Sequence, residues 1–198
     1  MRNLRTSLLM LGIFSLLLGI IYPLAITGLA QLFFPFRANG SIIGKYKGQR
    51  TNDEVPVGSA LIGQQFSSAR YFHGRPSECG YDASHSAGLN LGPTNPALLA
   101  RVRALVDSIR TEERLPEGTP VPADLVLASG SGLDPDISPE AALLQVRRAA
   151  RARGLDTAAV RTLVMHTVEP PFLGIFGLAR VNVLRLNLAL DSMSGEDK

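Results

Sequence analysis

The longest apolar run opens the chain. Between Arg5 and Arg37 there is no Asp, Glu, Lys, Arg or His, and Leu8 to Ala30 is mostly Leu, Ile, Gly and Ala. A helix rising 1.5 Å per residue needs ~20 such residues to cross the hydrocarbon layer, so 8–33 is expected to be one transmembrane helix preceded by a short flank, 1–7. Gly28-Leu29-Ala30 offers small residues to a signal peptidase. The run is nevertheless longer than the ~7 to 15 residues of a signal core and continues through Leu32, Phe33 and Phe34, which favours a retained anchor. Pro23 should kink the span, a feature that neighbouring membrane helices accommodate. Ala38-Asn39-Gly40-Ser41 is turn chemistry and ends it.

Beyond the anchor the patterning becomes that of one small domain, 34–191. Leu61 to Phe66 reads as a short strand, and Leu125 to Ala128 as a second. Tyr71 to Pro96 is rich in Gly, Ser, Pro and Asn without apolar periodicity, and long loops inside compact domains are usually functional or held by a partner. Asn95-Pro96 is an N-cap with proline at the first helical position. Leu99, Val102, Val106 and Ile109 then share one helical face, which predicts a helix to about Arg114. Ser138-Pro139 repeats the signature, with Glu140 in the first turn and Gly154 as the stop, and Asp156 caps a shorter helix to about His166. Leu184, Leu186, Leu188 and Leu190 alternate with Arg185, Asn187 and Ala189, the period-two mark of a strand. Residues 192–198 form a loose polar tail. The expected class is α+β (or α/β), with capped helices packed on a short sheet.

Composition narrows the function. The 198 residues carry a net charge of +3, 45% hydrophobic and 19% charged residues, which suits a folded domain with an apolar extension. Basic residues are spread along the chain, so no nucleic acid partner is expected. Cys79 is the single cysteine, which rules out an internal disulfide and a cysteine-built zinc site. Arg2 and Arg5 hold the N-terminus in the cytoplasm under the positive-inside rule. Arg37, Lys45, Lys47 and Arg50 pull the other way, but a long following domain translocates largely regardless of charge, which places residues after about 36 outside.

Catalytic motifs are weak. The lysines, Lys45, Lys47 and Lys198, follow no phosphate-cradling Gly-x-x-x-x-Gly-Lys loop. Ser129-Gly130-Ser131-Gly132 could offer amides to an anion, although no helix begins directly after it and a plain turn is the simpler reading. Asp134 and Asp136 flank Pro135 without the oxygen-ligand pattern calcium wants, so a turn or capping role is expected. His73, His85 and His166 lack metal-ligand spacing, and no Gly-x-Ser-x-Gly elbow accompanies them. Arg147, Arg148, Arg151 and Arg153 are expected to form the solvated or partner-facing side of their helix, with a phosphate or lipid headgroup as the sharper alternative.

Several blocks carry a resemblance. Tyr22-Pro23-Leu24, Phe34-Pro35 and Ala38-Asn39-Gly40-Ser41-Ile42-Ile43 come first, then Gly58 to Gln64 with Gly63 and Phe66, and Tyr71-Phe72-His73-Gly74-Arg75-Pro76-Ser77. Pro122 to Val126, Ala128-Ser129-Gly130-Ser131-Gly132-Leu133-Asp134 and Ile137-Ser138-Pro139 follow, and Arg180-Val181-Asn182-Val183-Leu184 with Leu186-Asn187-Leu188-Ala189-Leu190-Asp191 closes the set. In this order they resemble the C subunit of the Kdp-type potassium-transporting ATPase over nearly the whole chain. Two places depart from the family's pattern: Asp136 stands where a histidine is common, and Val168 to Pro171 replaces a more polar run.

The resemblance implies a non-catalytic accessory subunit of the inner membrane. Its partners would be a potassium-channel-like subunit, a P-type ATPase subunit, a small fourth subunit and membrane lipid. It also implies a catalytic chaperone that raises the ATP affinity of the ATPase subunit, with Gln145 as the proposed nucleotide contact and no cofactor bound stably. A domain outside the membrane cannot meet cytoplasmic ATP. Because flipping a charged domain costs far more than one side-chain contact returns, the membrane argument takes precedence. The domain is then expected over the outer mouth of the channel-like subunit, with 71–96 and the Gly-rich turn facing it. A membrane-anchored cell-envelope hydrolase is the alternative from another class, and a cytoplasmic nucleotide-binding module using Gln145 and the Arg-rich helix is the other.

Overall fold

A computed structural model describes residues 2–46 and 54–195. It divides into two compact units, up to Ile42 and from Ile43 onward. Lys47, Arg50 and the end of the expected tail, 196–198, lie outside the described residues.

The first unit is a helical rod: α1 (Arg2–Leu16), one π-helical turn (Leu17–Ile21) and α2 (Tyr22–Phe33). Asn3–Phe33 is a 31-residue stretch of mean hydropathy 2.4 with none of its most apolar window buried, long and apolar enough to cross a membrane. The irregularity expected at Pro23 takes the form of the wide turn just before it, where the Tyr22 N–H bonds to the Leu17 carbonyl. Proline has no N–H for the carbonyl four residues back and its ring crowds that carbonyl, so widening the preceding turn relieves both. A one-turn helix α3 (Pro35–Ala38) follows. The Asn39 amide bonds back to Pro35 O at 2.8 Å and pairs with Gln31 at 3.1 Å, and Gly40 takes φ +80°. The expected Asn-Gly turn is there.

The second unit is α+β. β1 (Ile42–Tyr46) pairs with β2 (Glu54–Ser59), and β3 (Asp136–Ile137) with β4 (Val181–Asn182), which run antiparallel with Asp136 opposite Asn182. Around these small sheets lie α4 (Pro96–Glu113), α5 (Pro139–Arg153), α6 (Thr157–Thr167) and α7 (Val183–Met193). Three caps form as expected: Asn95, Ser138 and Asp156 each accept from a backbone N–H of the first turn, and Gly154 ends α5 at φ +66°. The core joins Ala141, Ala142, Val146, Ala149 and Ala150 of α5 to Val160 and Val164 of α6, Leu186 and Leu190 of α7, and Phe72 from the long loop. The small α5 side chains let the helices approach closely, so volume must come from elsewhere, and Phe72 supplies it.

Four expectations are corrected. The terminal strand is a helix: the buried residues Val183, Leu186, Asn187 and Leu190 sit at helical spacing, Asn182 caps the N-terminus by accepting from the Arg185 N–H at 3.1 Å, and leucine favours helix over strand. Leu61–Phe66 is irregular because the Ser59 hydroxyl and carbonyl take the Leu61 and Ile62 N–H groups, turning the chain as β2 ends. At Leu125–Ala128 a 3₁₀ turn (Ala123–Leu125) replaces the strand, started by the fixed φ of Pro122. The basic face of α5 is split: Arg147 and Arg151 are exposed, while the side chains of Arg148 and Arg153 are 2% and 0% exposed.

Candidate partner-binding face

The long loop is held at its start by two helices. Phe72 N–H donates to Asn187 Oδ1 at 2.8 Å and Phe72 O accepts from Asn187 Nδ2 at 3.0 Å. One residue on, His73 N–H donates to Gln145 Oε1 at 2.8 Å and His73 O accepts from Gln145 Nε2 at 3.1 Å. Side-chain amides of α7 and α5 thus replace the two neighbouring strands that this backbone lacks, which satisfies its buried polar groups. The Gln145 carboxamide also accepts from Arg148 at 2.7 Å and donates to Ala141 O at 3.3 Å, so its hydrogen-bonding capacity is used within the chain.

The two inward arginines complete the grip. Arg148 bonds Glu113 at 2.7 Å and the carbonyls of Ala69 and Tyr71 at 2.8 Å each. Arg153 reaches Asp191 at 2.7 Å and Arg70 O at 2.8 Å, and its guanidinium lies 4.7 Å from the centre of the Tyr71 ring. A buried guanidinium is tolerated when each N–H finds an acceptor, and loop carbonyls serve that purpose here. Burial and then Arg148 hold the His73 imidazole below its ordinary 6.5. Burial pushes the Glu113 carboxyl above 4.5 against the pull of Arg148.

Further along, the loop braids with the Gly-rich turn. Ser77 Oγ donates to Gly132 O at 2.7 Å, Ser129 N–H to Pro76 O at 3.3 Å, and Ala87 N–H to Ser131 O at 3.1 Å. Gly130 takes the backbone of Gly88 so closely that a Cβ on Gly88 would lie 2.7 Å from Gly130 O. Gly132, at φ +70°, has no room either: a Cβ would meet Cys79 Sγ at 2.6 Å and Ala87 O at 2.7 Å. Gly63 N–H bonds Leu133 O at 2.8 Å, Gln64 reaches back to Val57 O at 3.0 Å, and Phe66 packs on the core. Arg75 and Asp134 form an ion pair at 2.9 Å. The other Asp134 oxygen accepts from the Asp136 N–H at 3.1 Å, the turn role expected for it. Asn182 links the sheets, donating to Ala60 O at 2.9 Å and Asp136 at 3.2 Å. Burial raises the Asp136 carboxyl above 3.8, against the pull of Asn182 and Arg180.

An open cleft of about 500 Å³ separates this braid from the next segment, with Arg75, Asp134, Asp136, Leu178 and Arg180 on its walls. That segment is a hairpin in which Glu169 bridges Arg180 and Phe172 bridges Phe176. Only its entry, Val168 to Pro171, stood out in the sequence, as a departure from the family's pattern, although Phe172, Leu173, Ile175, Phe176 and Leu178 crowd into the next seven positions.

Hydrolytic chemistry finds no support in the local His85 cluster. Ser84 Oγ lies 2.9 Å and Asp82 Oδ2 3.3 Å from the same ring atom, Nδ1, whereas a catalytic relay needs the serine and the carboxylate on opposite ring nitrogens. Among the described residues no group of three or more His, Cys, Asp or Glu side chains is placed to hold a metal.

Residues 4–192 match the family model described as K+-transporting ATPase, c chain. The chain belongs to the KdpC family. It is 54% identical over 197 residues to a potassium-transporting ATPase KdpC subunit of Gemmatimonas aurantiaca, covering 98% of this chain and 94% of that one. To the Caulobacter vibrioides subunit of the same name it is 50% identical over 192 residues, 96% and 93% covered. A Mycobacterium bovis relative is 49% identical over 194 residues, 97% and 99% covered. The KdpC match takes in the apolar rod and the second unit together, so the family resemblance extends to both.

Proposed function

We propose that this chain is the non-catalytic accessory subunit of an ATP-driven potassium uptake complex. It is lodged in the inner membrane by residues 8–33, with its N-terminus in the cytoplasm and 34–191 outside, and it stabilises the assembly of a channel-like subunit, a P-type ATPase subunit and a small fourth one. The observation that carries this reading is the match over residues 4–192, which spans anchor and soluble unit alike. Orientation rests on Arg2 and Arg5 before an uncharged span. The surface offered to the channel-like subunit is the braid of 74–88 with 129–134. Bonded at many points, with Gly88 and Gly132 too close to neighbouring backbone to admit a side chain, it presents a fixed shape.

Any gain in ATP affinity on the far side of the membrane then comes through the assembled complex. Gln145 supports this, because a carboxamide spent on His73, Arg148 and Ala141 has nothing left for a nucleotide. Co-expression with the other subunits of the transporter tests the reading. The full chain should be recovered in a detergent-stable complex, and cells lacking it should fail to grow on limiting potassium. Growth undiminished without the chain would overturn it.

A further inference from the structure

The wide turn before Pro23 moves a missing hydrogen bond without removing it. In the α-helical register the Leu18 carbonyl would accept from Tyr22, but that N–H goes to Leu17. In the π-helical register its donor would be residue 23, a proline, which has no N–H. Leu18 is also the middle residue of Asn3–Phe33. A backbone carbonyl therefore stands without an N–H at mid-span, where hydrocarbon offers no water in its place and the loss is most costly. The rod supplies no substitute. A Ser or Thr hydroxyl serves carbonyls three or four residues before it, and the residues so placed are Ile21 and Tyr22.

We propose that the Leu18 carbonyl is the docking point for a transmembrane helix of the channel-like subunit that carries a neutral donor, a hydroxyl or a carboxamide, at mid-membrane depth. The proposal rests on the accessory-subunit reading above, in which the domain faces that subunit. Only 34–42 separate the rod from the second unit. Even extended, that chain spans about 30 Å, the diameter of a small domain, so the subunit that faces the domain is the one within the rod's reach. The donor is neutral because between Arg5 and Arg37 the rod holds no carboxylate to pair with a lysine or arginine, and an unpaired cation at that depth is disfavoured. Approach is open at this point. Gly19, next to Leu18, has nothing within 4 Å of the place a Cβ would take, and Ser15 and Gly12 lie four and seven residues before it, at helical spacing. Small residues at such intervals let two helix backbones come close enough for a side chain of one to reach a carbonyl of the other. The irregularity at Pro23, otherwise a weak point in the anchor, then fixes both its partner and its depth.

The test uses the full chain in its complex. A benzophenone amino acid in place of Tyr22, one turn beyond Leu18 on the side its carbonyl points to, should on irradiation of native membranes attach to a helix of the channel-like subunit. Within one turn of the attachment that helix should carry a Ser, Thr, Asn or Gln. Replacing this residue by alanine should lower recovery of the natural chain with the complex about three-fold or more. In a Pro23→Ala chain, which regains the missing N–H and satisfies its own carbonyls, the same replacement should cost nothing. Attachment to lipid, to a second copy of this chain or to the ATPase subunit alone, no attachment in an intact complex, a contacted helix without such a donor, or an equal loss in both backgrounds would each overturn the docking point. Failure of the unmodified chain to join the complex would instead remove the accessory-subunit reading beneath it.

Discussion

At the scale of single residues, side-chain amides that imitate backbone hold the long loop. Asn187 and Gln145 spend both ends of their side chains on Phe72 and His73. Replacing either by alanine orphans a buried N–H and C=O, so each variant should lose about 1–3 kcal/mol in denaturant unfolding. For Gln145→Ala the loss of stability should be measurable in the purified full chain without nucleotide; full stability with impaired ATP affinity of the complex would point to direct contact. His73 adds a pH dependence. Its folded value lies below 6.5 because of burial and Arg148, so the unfolded chain binds the proton more readily and stability rises with pH up to about 6.5, then levels. Compared with His73→Asn, the natural chain should weaken as pH drops below 6.5 and match it in slope above. Gly132→Ala should destabilise by roughly 1–3 kcal/mol, since it needs φ +70° and meets the Ala87 carbonyl as well as Cys79.

At the scale of elements, the sequence was most legible where a cap is chemical. Asn95-Pro96, Ser138-Pro139 and Asp156 mark the residues where α4, α5 and α6 begin, and Gly154 the residue where α5 ends. It was least legible where two periods coincide. Leucines at 184, 186, 188 and 190 alternate, yet 183, 186, 187 and 190 share a helical face, and the cap that decides between them, Asn182, is read only once Val181 is known to pair with Ile137. Asn182→Ala should accordingly cost about 1 kcal/mol or more, because it removes the cap of α7 together with the bonds to Ala60 and Asp136; the readout is the thermal midpoint. The Gly-rich turn and Arg75 were legible as a motif, but not their partners, which lie some 50 residues apart in sequence and meet only through tertiary packing. The inward arginines were hidden because a helix heavy in arginine reads as solvated, and the acceptors that draw Arg148 and Arg153 in are carbonyls of a remote loop.

At the scale of the whole molecule, a rod without charge between Arg5 and Arg37 and a charged domain share one chain, and in the proposed function the rod fixes the side of the membrane on which the domain works. The physical ground is dehydration: the 31-residue stretch is long and apolar enough to cross hydrocarbon, whereas moving the charged second unit into it would be costly. Removal of residues 1–36 should therefore release the remainder from membranes during fractionation and abolish its recovery with the complex. The most direct measurement is thiol labelling in intact cells. Glu117 is exposed in the turn after α4, so Glu117→Cys in a Cys79→Ser background offers one reactive site. A membrane-impermeant maleimide should modify it in whole cells as fully as in lysed ones. Modification only after lysis would place the domain in the cytoplasm and contradict the account.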